Sequence, residues 1–215
     1  MSVDSTLLAE RELGGLAEKI IIYRYKVYSA SSIALITIAT LLVVYSFSIT
    51  APYSPIPAIL VFIIAFSAPF AIVAILIKTF KKALRSVNLL ISTRGRRLNR
   101  TRLNVVALLS YTTPFILFYL TSPLPYWETY AWYFALAVAN TSMTLFYERY
   151  INELLPELSV RVYTVWSALS LLFAPLIAYL ALIDPLKAWP VALITYLFAT
   201  LISSIQEIYR AEKML

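Results

Sequence analysis

The sequence predicts an all-α fold: a polytopic membrane bundle of six transmembrane helices in three hairpins, with both termini cytoplasmic. Three observations carry this expectation. Hydrophobic residues make up 61% of the 215 and charged residues 13%, whereas a soluble domain carries about a quarter charged residues. Apolar runs near 29–50, 56–77, 104–121, 129–147, 162–183 and 188–205 have no Lys, Arg, Asp or Glu inside them, and each approaches the roughly 20 residues a helix needs to cross hydrocarbon. Of the 18 Lys and Arg, only Lys187 lies in the turns at 51–55, 122–128 and 184–187, so the positive-inside bias places every other connection, and both ends, in the cytoplasm. The mean hydropathy of +0.79 agrees. The runs lack the two-residue alternation of a membrane barrel, and backbone in lipid must bond internally, so the spans are helical.

Taken in order, residues 1–28 form a cytoplasmic amphipathic helix. Asp4, Glu10, Glu12 and Glu18 exclude a signal peptide. Ala9, Leu13, Leu16 and Ile20 share one face, so the segment is expected to lie on the inner membrane surface, weakened at Gly14–Gly15. Residues 29–77 are the first transmembrane hairpin, turning near Pro55 and Pro57. Residues 78–103 are a basic cytoplasmic loop, 104–147 the second hairpin, 148–161 a cytoplasmic loop, 162–205 the third hairpin and 206–215 a cytoplasmic tail. Trp127, Trp132 and Trp189, with Tyr126 and Tyr130, form an outer aromatic belt, and Tyr23, Tyr25 and Tyr28 with Arg24 and Lys26 an inner one. Hairpins two and three look like diverged copies: Pro123, Leu124, Trp127, Ala137, Ser142 and Tyr147 recur at one offset as Pro185, Leu186, Trp189, Ala199, Ser204 and Tyr209. Parallel repeats of this kind are one transporter building plan.

The inventory excludes much chemistry. With no His and no Cys, the chain has no thiol nucleophile, disulfide, histidine relay or usual zinc or haem ligand. Asp4 and Asp184 are the only aspartates, so neither a paired-aspartate protease nor an aspartate-rich diphosphate site is expected. The remaining acids fall at turns or inner ends, Glu148 and Glu207 included, and no charge is expected in the bundle interior. Enzyme activity and cofactors are therefore not expected. The only glycines, Gly14, Gly15 and Gly95, lie outside the spans, which disfavours the broken helices of ion-coupled carriers.

Two clusters remain as candidate sites. Polar side chains gather in the inner halves of spans three to six, and Thr113, Asn140, Thr141, Thr144 and Ser170 are expected to frame an inner polar cavity. The competing reading is that they bond across helices, at about 0.6 kcal/mol each. Ala131, Ala135 and Ala139, and likewise Ser170, Ala174 and Ala178, recur every four residues and mark packing seams. The second cluster is the 78–103 loop, with Lys78, Lys81, Lys82, Arg85, Arg94, Arg96, Arg97, Arg100 and Arg102 and no acid. Its first half is an amphipathic helix with Phe80, Leu84, Val87 and Ile91 on one side, broken at Arg94-Gly95-Arg96. Lys81, Lys82, Arg85, Arg94, Arg96, Arg97 and Arg100 are expected to dock either anionic lipid of the inner leaflet or a protein partner, possible subunits including a cytoplasmic ATPase. Nucleic acid is the weakest alternative, because Phe80 is the one aromatic residue in the basic run and no nucleic-acid-binding motif accompanies it.

Six spans, an inner-surface N-terminal helix and a basic loop after span two resemble, in outline, the small permease subunits of ATP-driven transporters. The resemblance covers architecture and no motif. It implies a non-catalytic membrane subunit of a multi-component transport or translocation system, energised by a partner. The alternatives are a structural or assembly subunit of a membrane complex and a component of a nucleic-acid translocation apparatus.

Overall fold

The computed structural model describes residues 3–50, 71, 74–75, 78, 80–121 and 127–214, and every regular element among them is helical. Helix α1 is Val3–Thr50; α2 covers residues 80–93; α3 is Arg100–Leu120 and α4 is Trp127–Ser142. The chain continues through a π-helical stretch, Met143–Glu148, into α5, Arg149–Leu154, and a short 3-10 turn at Pro156–Leu158. Helices α6, Val162–Ile183, and α7, Pro185–Glu212, complete it. Three of these helices are long and apolar enough to cross a membrane, namely Arg100–Phe118, Val162–Ile183 and Pro185–Glu212. They carry expected spans three, five and six. Their exposed faces are rich in hydrocarbon, with Leu108, Leu109, Leu117, Leu172, Leu182 and Ile194 all more than half exposed, an apolar surface larger than soluble proteins usually leave to water. Most of the expected second span, the turn at 51–55 and most of the turn at 122–128 lie outside the described residues.

The helices pack in the order α1 on α7, α7 on α6, α6 on α4 and α4 on α3. Asp184 alone joins α6 to α7. Its side chain accepts from the Lys187 backbone N–H at 3.3 Å, with Pro185 at the first position of α7, where its missing N–H costs nothing. The alanine seam closes the α4 contacts: Ala131, Ala135 and Ala139 have no exposed surface, and small residues let backbones approach. Ser170 is buried and Ala174 and Ala178 half-buried on α6.

Several sequence expectations are revised. No break occurs at Gly14–Gly15: α1 runs through both glycines as one helix of 48 residues. Two glycines cost about 2 kcal/mol in propensity, and the helix is anchored from Glu18 onward, through its pair with Arg94 and the buried Ile22 and Tyr25. The apolar face of α2 packs on the bundle and not only on lipid, with Val87 and Ile91 fully buried and Phe80 at 5.7 Å between ring centroids from Tyr25. Tyr130 and Trp132 leave the expected outer belt for the interior: Tyr130 is fully buried, and Trp132 meets Tyr196 edge-on at 5.7 Å.

The π-helical stretch was not legible in the sequence. Thr141 Oγ1 donates to the Ala137 carbonyl at 2.8 Å and Thr144 Oγ1 to the Asn140 carbonyl at 3.0 Å. These hydroxyls compete for the acceptors of the i→i−4 ladder, and the Arg149 N–H reaches back five residues to the Thr144 carbonyl.

Candidate functional site

The end of the bundle that carries the basic segments holds a cavity of about 530 Å³, within the 300–1,000 Å³ usual for ligand pockets. One wall is α3, from Arg100 through Leu103 and Ala107 to Tyr111, a run of about 16 Å at 1.5 Å per residue. Ser29, Ser32 and Ile33 of α1 form another wall, and Phe80, Lys81, Leu84 and Arg85 of α2 a third. Met143 and Tyr147 of the π-helical stretch and Tyr163 of α6 complete it. The rings of Tyr147 and Tyr163 meet edge-to-face at 6.1 Å, and Tyr111 Oη donates to Asn140 Oδ1 at 3.3 Å.

The cavity is electrostatically one-sided. Lys81 and Arg85 stand one turn apart on α2, and Arg100 opens α3. All three are exposed, none forms an ion pair among the described residues, and no Asp or Glu is among the described lining residues. Their positions follow from two local devices. Helix α2 ends at a glycine cap: Gly95 has φ +71°, its N–H donates to the Ser92 carbonyl at 3.0 Å, and the Arg96 N–H donates to the Ile91 carbonyl at 3.2 Å, a pattern that left-handed glycine permits. Helix α3 begins at Asn99, whose side chain accepts from the Arg102 N–H at 2.9 Å.

The basic loop thus divides into cations that hold the fold and cations that do not. Arg94 bridges Glu18 and Glu157, the latter at 2.7 Å. Arg96 donates to the carbonyls of Glu153 and Leu154 at 2.7 and 2.9 Å, and Arg102 lies over the Tyr150 ring at 4.5 Å. Of the seven predicted docking residues, Arg94 and Arg96 are therefore engaged internally. Lys81, Arg85 and Arg100 line the cavity, and Lys82 and Arg97 are exposed outside its described lining.

The predicted polar-cavity residues are placed differently from one another, and none of them is among the described lining residues. Asn140 is fully buried, its Oδ1 held by Tyr111 and its Nδ2 without a partner among the described residues. Thr141 shares a 2.7 Å hydrogen bond with Ser167 across α4 and α6. Thr144 bonds back to its own helix. Ser170 is buried, with its carbonyl accepting from Tyr133 Oη at 2.8 Å and its hydroxyl without a partner among the described residues. Thr113 is exposed on α3.

The expectation of an interior free of charge is overturned. Lys26, Glu148 and Glu207 are each no more than 2% exposed. Arg161, at the N-cap of α6, supplies no side-chain cap, and two carboxylates from elsewhere replace it. Glu148 accepts from the backbone N–H groups of Tyr163 and Thr164, and from Thr164 Oγ1 at 2.7 Å. Glu207 accepts from the Arg161 N–H at 3.2 Å and faces Lys26 Nζ at 3.5 Å and Arg210 at 3.4 Å. Negative charge at a helix N-terminus is favourable, yet burial outweighs these bonds and pushes the Glu148 carboxyl up to about 7. Burial likewise lowers the Lys26 ammonium from its ordinary value, against the pull of Glu207. A position at the end of an apolar run looks the same in sequence whether its acid faces water or a helix terminus, so no local signal marked these residues.

Comparison with protein-family models, with curated proteins and with solved structures yields no match, so the functional argument rests on this chain's own residues.

Proposed function

We propose that this chain is a six-span protein of the cell membrane with both termini cytoplasmic. It serves as a non-catalytic subunit of a multi-component transport or translocation system energised by a partner. The composition, the charge asymmetry and three span-length apolar helices support the membrane placement. The observation that carries the rest is the cavity at the basic end. Interiors of helix bundles are close-packed, and a ligand-sized space beside unpaired cations points to something bound or handed on at that face. Lys78, Lys82 and Arg97, exposed and outside the described lining, are the cations left for a cytoplasmic partner.

The test has two arms. Because the chain contains no Cys, single cysteines report topology without background: Lys82→Cys should react with an impermeant thiol reagent only after the membrane is opened, and Lys187→Cys from outside. The second arm reverses Lys78, Lys82 and Arg97 to Glu. An assembly recovered intact in mild detergent should lose its partner subunit at unchanged abundance of this chain. A wild-type chain that purifies as a stable monomer sinks the subunit reading.

A structural or assembly role is the second reading, favoured by how the span hydroxyls are used. Thr141 with Ser167, Thr37 with Thr200 at 3.4 Å, and Ser204 with the Ala30 carbonyl at 3.1 Å all tie one helix to another. On that reading Asn140→Leu with Thr144→Leu changes abundance alone. A transport defect at normal abundance favours the first reading.

A further inference from the structure

We propose that the cavity is a binding site for a phosphate-headed amphiphile, its head among Lys81, Arg85 and Arg100 and its apolar chain along α3 toward Tyr111. This deepens the functional reading above by naming what the cavity of that subunit takes. Diffuse attraction of a basic loop to a charged bilayer needs no cavity and no particular three cations. Here the cations of two helices line the mouth of one half-open cavity. Arginine forks match phosphate oxygens, and basic pockets between membrane helices suit such heads. A phosphate monoester carries about −1.5 to −2 charges near neutral pH, a better match to three cations than a carboxylate.

The remainder of the volume selects for a chain. Beyond Arg100 the α3 wall continues as Leu103, Asn104 and Ala107, faced by Ile33, Leu84 and Met143, and apolar side chains supply most of this surface. A free phosphate would leave that surface wet, whereas an attached chain should tighten binding roughly fourfold per methylene buried. Among the described residues the same three cations are not spent elsewhere, in contrast to Arg94, Arg96 and Arg102. Opposed acids would cancel the field at the cavity, and none is among its described lining residues.

The experiment titrates the full-length chain, in neutral detergent, with dioleoyl phosphatidic acid, with phosphatidylcholine of the same chains, and with inorganic phosphate, reading adducts by native mass spectrometry. Phosphatidic acid should form a one-to-one adduct that phosphatidylcholine does not displace. Replacing Lys81, Arg85 and Arg100 by Ala should weaken it about tenfold or more, because charge-assisted contacts are lost. Replacing Lys78, Lys82 and Arg97 by Ala removes equal charge outside the described lining and should leave it near wild type. Ala107→Trp fills the chain region at constant charge and should abolish the adduct. Equal effects of the two triple variants, or no effect of Ala107→Trp, overturn the site in favour of surface electrostatics. Inorganic phosphate binding as tightly as phosphatidic acid overturns the amphiphile and leaves a site for soluble phosphate. The assay is indifferent to sidedness: a missing adduct counts against the cavity, whereas a Lys82→Cys label taken up from outside counts against the topology.

Discussion

The two ends of the bundle share apolar packing but differ in what is added to it. At the far end, Ala131, Ala181 and Ala188 bring α4, α6 and α7 close, and Tyr130, Phe134 and Phe118 fill the spaces between. At the basic end an apolar cluster that includes Ile22, Ile151, Leu155 and Val162 is joined by Lys26, Glu148, Glu207 and Arg210, which tie α1, the π-helical stretch, α6 and α7, with carboxylates on the N-terminus of α6. Apolar contact is non-directional and forgiving of register. A buried carboxylate is satisfied only by particular donors at particular positions, so the basic end fixes how α1, α6 and α7 sit relative to one another. Beside that fixed frame stands the cavity.

The largest expected effect comes from breaking the frame at one charge. Glu207→Ala leaves the Lys26 ammonium 2% exposed and without its counter-ion, and should destabilise the purified protein by about 3–5 kcal/mol. Combining it with Lys26→Met should recover most of that loss, because the cost lies in the orphaned charge. Thermal or denaturant unfolding in detergent reads both; a double variant no better than the single one shows that the pair is not coupled. In the alanine seam, Ala135→Leu forces volume into a position with no exposed surface and should cost about 1–3 kcal/mol. A stabilised Ala135→Leu would mean that α4 does not pack through this face.

Glu148 supplies a pH-dependent term. Its carboxyl is pushed from the ordinary 4.5 up to about 7 in the fold, so between those values the folded protein holds a proton that the unfolded chain has released. Unfolding free energy should therefore fall as pH rises through that window, by at most about 1.4 kcal/mol per unit, and level off above it. Glu148→Gln removes the titration and should flatten the profile, while Glu148→Ala removes the cap of α6 and should cost about 1–2 kcal/mol at every pH. An unchanged slope in Glu148→Gln assigns the titration to another group.

How much of this was legible depends on whether a feature is local. The α6–α7 hairpin, the alanine seam and the break at Gly95 follow from periodicity, side-chain size and one glycine, all read within a few residues. Lys26 was placed in an interfacial belt because Arg24, Tyr25 and Tyr28 surround it in sequence, and its partner Glu207 comes from the other end of the chain. Tyr130 and Trp132 were assigned to lipid headgroups on residue type, but the rotation of α4 on α6 decides that they face inward. The cavity combines α1, α2, α3 and the π-helical stretch, so no single segment announces it. Its three cations differ from Arg94 and Arg96 only in what the fold brings near them.

That last distinction has its own test, with the smallest expected effect. If location and not charge sets the contribution of a basic residue, a cation paired on the open surface of the same end should contribute almost nothing. Arg149 and Glu153 pair at 2.8 Å one turn apart, with side chains 73% and 61% exposed. Holding two long side chains together in high dielectric offsets most of the attraction, so Arg149→Ala should cost about 0.3–0.5 kcal/mol at low salt and less at high salt. A loss approaching that of Glu207→Ala would mean that the surface pairs, and not the buried Lys26–Glu207 pair, carry the basic end, and the contrast between the two ends would reduce to a difference in composition.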